Sequence, residues 1–178
     1  MVLFQEDFVY HGCYNRQRLR KDAFTWEFKS MNDAVEDFRK ANLMKANMSQ
    51  KDLTGRDFSE ANLRKADLSG AILSRAKMVK TALSMANLSN ANLTEADLSG
   101  AELIGAVLDG ACLKGADLTR ASLSKASLRD ADLTGANLQK VNNLTCKQIE
   151  SAIFDKTVML PDYLKITWTS EKDWECAD

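Results

Sequence analysis

Between residues 36 and 140 the chain has no tryptophan, tyrosine, histidine or proline. The whole sequence holds one histidine, His11, and one proline, Pro161. A single histidine excludes most acid–base and nucleophilic schemes, and there is no Gly-rich phosphate loop after a strand. Charge is also without excess: 24 basic and 25 acidic residues leave a net of −1. That balance excludes a polybasic nucleic-acid binder. No apolar run approaches the roughly 20 residues of a membrane helix. The first residues, MVLFQEDFVYHGCYNRQRLRK, place charges inside the apolar stretch and lack the order of a signal peptide. The expected location is therefore cytoplasmic, with the thylakoid lumen or periplasm as the alternative if a targeting segment has been removed.

What fills the centre is a period of five. In ADLSGAELIGAVLDGACLKGADLTR, alanine recurs at residues 96, 101, 106, 111 and 116, and leucine follows two places later each time. On an α-helix, residues five apart sit roughly 140° apart, so the leucines would spiral around every side. On a flat strand every second leucine would face the wrong way. A chain that turns one corner per unit solves both problems. Four units then close a square coil of 20 residues, with leucine inward and alanine at the narrow corner. The remaining places face solvent, where Asp, Asn, Ser, Thr and Gly suit tight turns. Coils stacked in this way form a solenoid in which each touches only its neighbours.

The register runs unbroken from Glu36 to Lys140, giving 21 units, with leucine at 17 centres and alanine at 17 corners. Phe38, Met48, Phe58 and Met78 hold the other centres; Glu36, Lys51, Arg56 and Thr81 hold the other corners. The charged corners must open to let their side chains reach water.

The units ANLRK, ADLSG, ANLSN, ADLTR and ADLTG resemble those of the pentapeptide repeat family. The resemblance implies an all-β solenoid, a right-handed quadrilateral β-helix of about five coils with short α-helical caps. The string LTCKQIESAIFDKTVMLPDYL is similar to C-terminal caps of cyanobacterial members. Three segments follow: an N-terminal cap segment over 1–35, the β-helix over 36–140, and a C-terminal cap over 141–178 with two short helices. Thr145-Cys146-Lys147-Gln148 matches a helix capping box, and Leu160-Pro161 reads as the start of the second helix. In the N-terminal segment, Ser30–Val35 is compatible with a short helix, and Phe8, Cys13 and Phe28 fall in phase with the leucines.

No enzyme, cofactor or metal site is expected. The recurring Asp residues fit turns better than paired catalytic carboxylates, and Lys77 relieves repulsion between Asp57 and Asp97. The four cysteines lack CxxC spacing; Cys112 falls at an outward place and reads as a free thiol. Some related cyanobacterial and plastid-lumen proteins hold the C-terminal cap with a disulfide, which here would join Cys146 and Cys176.

Counting in twenties separates four sides. The unit-ending residues of two adjacent sides are Lys40, Glu60, Lys80, Gly100, Arg120, Lys140 and Lys45, Lys65, Met85, Gly105, Lys125. Seven of the eleven are basic, so one edge is expected to carry a basic stripe with a neutral band at Gly100 and Gly105. Its expected role is to dock an acidic protein partner. The expected function is a non-catalytic interaction or scaffold module, acting as a monomer or weak end-to-end dimer, with neither nucleic acid nor membrane as partner. Two alternatives stay open: a DNA-mimicking topoisomerase (gyrase) modulator, and a luminal structural or stress-related protein.

Overall fold

The computed structural model describes residues 37–170 and 173–177. Expectations for residues 1–35, including Cys13, and for the corner Glu36 lie outside the described residues. From Asp37 onward the backbone forms four columns of single parallel bridges, each linking residues twenty apart. One column runs Asp37, Asp57, Lys77, Asp97, Asp117 and Asn137, and the others begin at Asn42, Asn47 and Asp52. The result is a four-sided solenoid with a rise of roughly 4.8 Å per coil. Phe38 and Phe58, one coil apart, stack with ring centroids 4.8 Å apart and planes within 5°.

The five-residue unit assigns a partner to nearly every backbone N–H, which a buried-sided coil requires. In the unit Ala61–Lys65, the amide of Asn62 donates to Ala41 of the preceding coil at 2.9 Å. The amides of Leu63 and Lys65 donate to Ala82 and Ser84 of the following coil, at 2.8 and 3.0 Å. The next corner amide, Ala66, closes a turn onto the Leu63 carbonyl at 3.0 Å. The fourth amide has no coil to pair with, and here the Asp or Asn at the second place acts. Its side chain accepts from the amide two residues on, as in Asp52 from Thr54 at 3.0 Å and Asp67 from Ser69 at 3.0 Å.

The last place of the unit lies in the left-handed region throughout the regular coils. Fourteen such residues that are not glycine, from Lys40 (φ 58°) to Lys140 (φ 59°), take it, and so do seven glycines. Positive φ at the third position of a four-residue turn closed by an i to i+3 hydrogen bond marks a type II geometry. The conformation costs a residue with a β-carbon of order 1 kcal/mol, yet it is repeated because the corner cannot be made without it.

The interior is a stack of leucines. From Leu63 to Leu123, every centre is fully buried, Met78 included, with a buried alanine or Thr81 at every corner from Ala61. Each buried leucine contributes roughly 2 kcal/mol of hydrophobic stabilisation. Thr81 is tolerated because its hydroxyl donates to the Phe58 carbonyl at 2.8 Å. Lys51 is exposed and Arg56 half-exposed, so the charged corners do reach outward.

The C-terminal segment differs from the expectation in two respects. Stacking does not end at Lys140: Asn142 pairs with Ser122, and Ile153 and Met159 pair with Asp132 and Asn137. An irregular further coil is therefore laid over the last regular one. Within it, helix α1, Cys146–Glu150, starts at a capping box in which Thr145 and Gln148 satisfy each other's amides. The Gln148 side-chain amide also donates to the Leu123 and Ala126 carbonyls, at 2.8 and 2.9 Å. These carbonyls belong to coil edges that no regular unit covers.

The second cap helix, expected from Leu160-Pro161, is not formed. Pro161–Leu164 makes one turn, closed by the Leu164 amide on the Pro161 carbonyl at 3.1 Å. A hairpin follows, of strand β1, Lys165–Trp168, and strand β2, Trp174–Ala177. Apolar Ile166 and Trp168 alternate with polar Lys165 and Thr167, and pairing Trp168 with Trp174 outweighs the helix signal of an early proline. Phe154 packs against both rings, at 5.9 and 4.8 Å between centroids.

Glycine substitutions test the left-handed corner. At Gly55 an added β-carbon meets nothing within 4 Å, whereas at Gly110 it meets Asn90 Oδ1 at 2.5 Å. Gly55→Ala is expected to cost about 1 kcal/mol, from φ alone, and Gly110→Ala about 2 kcal/mol, from φ and the displaced amide. Urea unfolding of the two variants measures the difference.

Candidate functional site

The stripe residues stand at the left-handed corners, so the backbone sets where each side chain leaves the coil. Lys40, Lys45, Lys65, Lys80, Arg120, Lys125 and Lys140 all have φ between 54° and 61°, and all are exposed. At these corners the side chain leans toward the next coil. Lys40 Nζ lies 3.8 Å from Glu60 Oε2, and Arg75 Nε lies 2.7 Å from Glu95 Oε2, each pair one coil apart. Glu60, the one acid in the stripe, is thereby matched. Among the described residues Lys45, Lys65, Lys80, Arg120, Lys125 and Lys140 make no ion pair.

On the other faces some acids lie against cations, and others, such as Asp52, Asp67, Asp97 and Asp117, accept from the turn amide two residues on. Arg64 reaches over the small Ala82 to Glu102 at 2.7 Å, Lys114 meets Asp132 at 3.2 Å, and Arg129 meets Asp109 at 2.5 Å. The pairs are exposed, so each adds little to stability, yet together they remove net charge from their faces. On the basic edge a single acid, Glu60, faces seven cations.

The neutral band in that edge is not merely uncharged. Gly100 and Gly105 stand side by side in the two columns and leave a step with no side chain. Lys80 and Met85 lie just below it: a β-carbon on Gly100 or Gly105 would sit 3.3 and 3.8 Å from their γ-carbons. Met85 is 62% exposed and Ile104, whose carbonyl accepts from the Met85 amide at 2.9 Å, is 44% exposed. Sequence reasoning counted Met85 and Gly105 in the stripe without recognising an apolar step. The signal available was a methionine at a corner otherwise taken by Lys, Arg, Gly or polar residues.

The aspartates act as turn acceptors. In Asp52, Asp57 and Asp67 the hydroxyl and amide of Thr54, Ser59 and Ser69 hold the carboxyl below the usual carboxylate range. For Asp109 and Asp132 burial pushes the carboxyl up. Hydrogen bonds from Ser127 and Arg129, and from Thr134 and Lys114, outweigh it, so both also titrate low. Lys77 sits between Asp57 and Asp97 in one column and lowers Asp57 further. Among the described residues no cluster of His, Cys, Asp or Glu is arranged to hold a metal ion, and no helix is long and apolar enough to cross a membrane.

Cys146 and Cys176 are joined by a disulfide that ties strand β2 to helix α1. Cys112 is free, but the expectation that it lies open to solvent is corrected. It is 2% exposed, covered between Asn92 and Asp132 of the adjacent coils, with Thr94 Oγ1 3.3 Å from its sulfur.

Four parallel bridge columns and an interior built mainly of leucine define a quadrilateral solenoid of five-residue turns. Residues 83–120 and 111–142 match the family model for pentapeptide repeats, and the chain belongs to the pentapeptide repeat family. No catalytic family is indicated. The chain is similar to three solved pentapeptide repeat proteins. Rfr23 from the cyanobacterium Cyanothece 51142 is 37% identical, with 55% of this chain and 66% of that one covered and a TM-score of 0.49. One from Nostoc PCC 7120 is 30% identical, over 62% and 84% of the chains, with a TM-score of 0.46. One from the Arabidopsis thaliana thylakoid lumen is 29% identical, over 66% and 77%, with a TM-score of 0.42. No curated protein matches the chain.

The lowered carboxyls make acid sensitivity predictable. Their contribution is complete above the ordinary carboxylate pKa of about 3.9 and is lost as pH falls through the lower folded values. The thermal midpoint should be level from pH 8 to about 5 and fall below about 4. A triple variant, Asp52→Asn, Asp57→Asn and Asp67→Asn, keeps the acceptors but not the charge; its midpoint should be lower than the wild type's at pH 7 and decline less in acid.

The bridge closes a 30-residue separation. Removing it with Cys176→Ser should cost about 3.5 kcal/mol on the loop-entropy estimate. Thermal unfolding followed by tryptophan fluorescence, through Trp168 and Trp174, reports that loss.

Proposed function

We propose that this protein is a non-catalytic docking module, with the coils as a rigid scaffold and the basic edge as its contact surface. The edge runs through Lys40, Lys45, Lys65, Lys80, Arg120, Lys125 and Lys140, and its partner is a protein with an acidic surface. The observation that carries this reading is the run of seven cations along one edge, against a single acid, Glu60. Lys40 meets Glu60, and the other six cations of this edge have no ion pair among the described residues. A DNA-like surface needs a sustained negative potential, and in the central coils Glu95, Glu102 and Asp109 each lie against an arginine. The module acts as a monomer or a weak end-to-end dimer.

The Cys146–Cys176 bridge supports the thylakoid lumen or periplasm over a reducing cytoplasm, because such bonds persist in oxidising compartments. Thiol alkylation at the moment of lysis, read by mass spectrometry, should then find these two cysteines unlabelled.

Affinity capture with paired baits tests the docking edge. One bait is the wild type and the other carries Lys40→Glu, Lys65→Glu, Arg120→Glu and Lys125→Glu, all outward-facing. Both should melt at the same temperature within a few degrees. An acidic protein held by the first and lost by the second supports the reading; equal retention removes it.

A further inference from the structure

Resting on the reading of this edge as a docking surface, we propose that its centre is a specific site. It takes an extended segment of a partner protein with the pattern acidic–x–apolar–x–acidic. The column Lys45, Lys65, Met85, Gly105, Lys125 carries the argument. Lys65 and Lys125 flank the apolar step, one coil below Met85 and one coil above Gly105. Three coils separate the two lysines, or roughly 14 Å at the inter-strand spacing.

An extended chain rises roughly 3.4 Å per residue and points residues i, i+2 and i+4 to one face. Carboxylates at i and i+4 are then also about 14 Å apart, matching Lys65 and Lys125. The side chain at i+2 falls about 7 Å along, between the Met85 and Gly105 levels. That is the bare step, where Gly100 and Gly105 expose backbone and Met85 and Ile104 present apolar surface that is 62% and 44% exposed. The neighbouring cation, Arg64, is already engaged by Glu102 at 2.7 Å, so it does not compete for the segment. Lys65 and Lys125 have no ion-pair partner among the described residues. Charge selects an acidic segment, and the step between the charges selects its central residue.

The test is an NMR titration of the ¹⁵N-labelled full chain with an end-capped peptide whose core is Glu-Ser-Leu-Ser-Glu. Shifts should concentrate at Lys65, Met85, Ile104, Gly105 and Lys125. Replacing the peptide leucine with serine, or moving the second glutamate to i+2, should weaken binding about fivefold or more. Met85→Gly should do the same, and glycine is native at seven equivalent corners, so the variant keeps the fold. Lys40→Glu, off the site, should change affinity less than twofold, whereas Lys65→Glu should abolish binding.

If Met85→Gly binds as the wild type does while Lys40→Glu and Lys65→Glu weaken binding equally, the central site is overturned and the charged edge stands. The central site falls in the same way if a deca-glutamate peptide binds and the core peptide does not, or if shifts fall elsewhere along the edge. If neither peptide binds, both readings fall.

Discussion

The molecule depends on a backbone conformation that ordinary residues avoid. Each five-residue unit ends in a left-handed residue, and without it the chain cannot turn through the corner that brings the next leucine inward. The cost is of order 1 kcal/mol at each corner occupied by a side chain, and burial of one leucine per unit, roughly 2 kcal/mol, offsets it. Placement of the second-place Asp or Asn follows from the same turn, since its side chain accepts the amide that the corner leaves without a coil partner. So does the surface: the side chain at a left-handed corner leans along the stack, which is why Lys40 meets Glu60 and Arg75 meets Glu95.

The regular part of this fold was legible because period five leaves one geometric solution for collecting Leu63 through Leu123 on one side. Less legible was the handedness of the corner. Its trace was present, since the seven glycines from Gly55 to Gly135 all stand at the last place of a unit, but the long or polar side chains at the other fourteen places hid it. Cys112 was misjudged because an outward direction was equated with exposure. A short side chain between Asn92 and Asp132, against Thr94, is covered by the longer ones around it.

The C-terminal cap shows where local signals lose to tertiary ones. A proline after Leu160 favours a helix start, but Ile166, Trp168 and Trp174 gain more by pairing as a hairpin against Phe154. The candidate site was half legible. Counting in twenties put the cations on one edge, but only the three-dimensional structure reveals that Lys40 is matched by Glu60 while Lys65 and Lys125 make no ion pair among the described residues. The apolar step around Met85 was visible as a break in charge and not as a surface with its own chemistry.

Stacking at a fixed interval of twenty makes the chain behave as an indexed shaft. Loss or gain of a whole coil would shorten or lengthen it while leaving every later residue on its own side. Loss of a single unit would instead rotate everything beyond the break by a quarter turn. The interior would hardly register the change, since one leucine replaces another, but Arg120, Lys125 and Lys140 would be carried out of line with Lys40 and Lys65. Length variation in such a chain therefore separates into two kinds, one that preserves the alignment of distant side chains and one that erases it with almost no loss of stability.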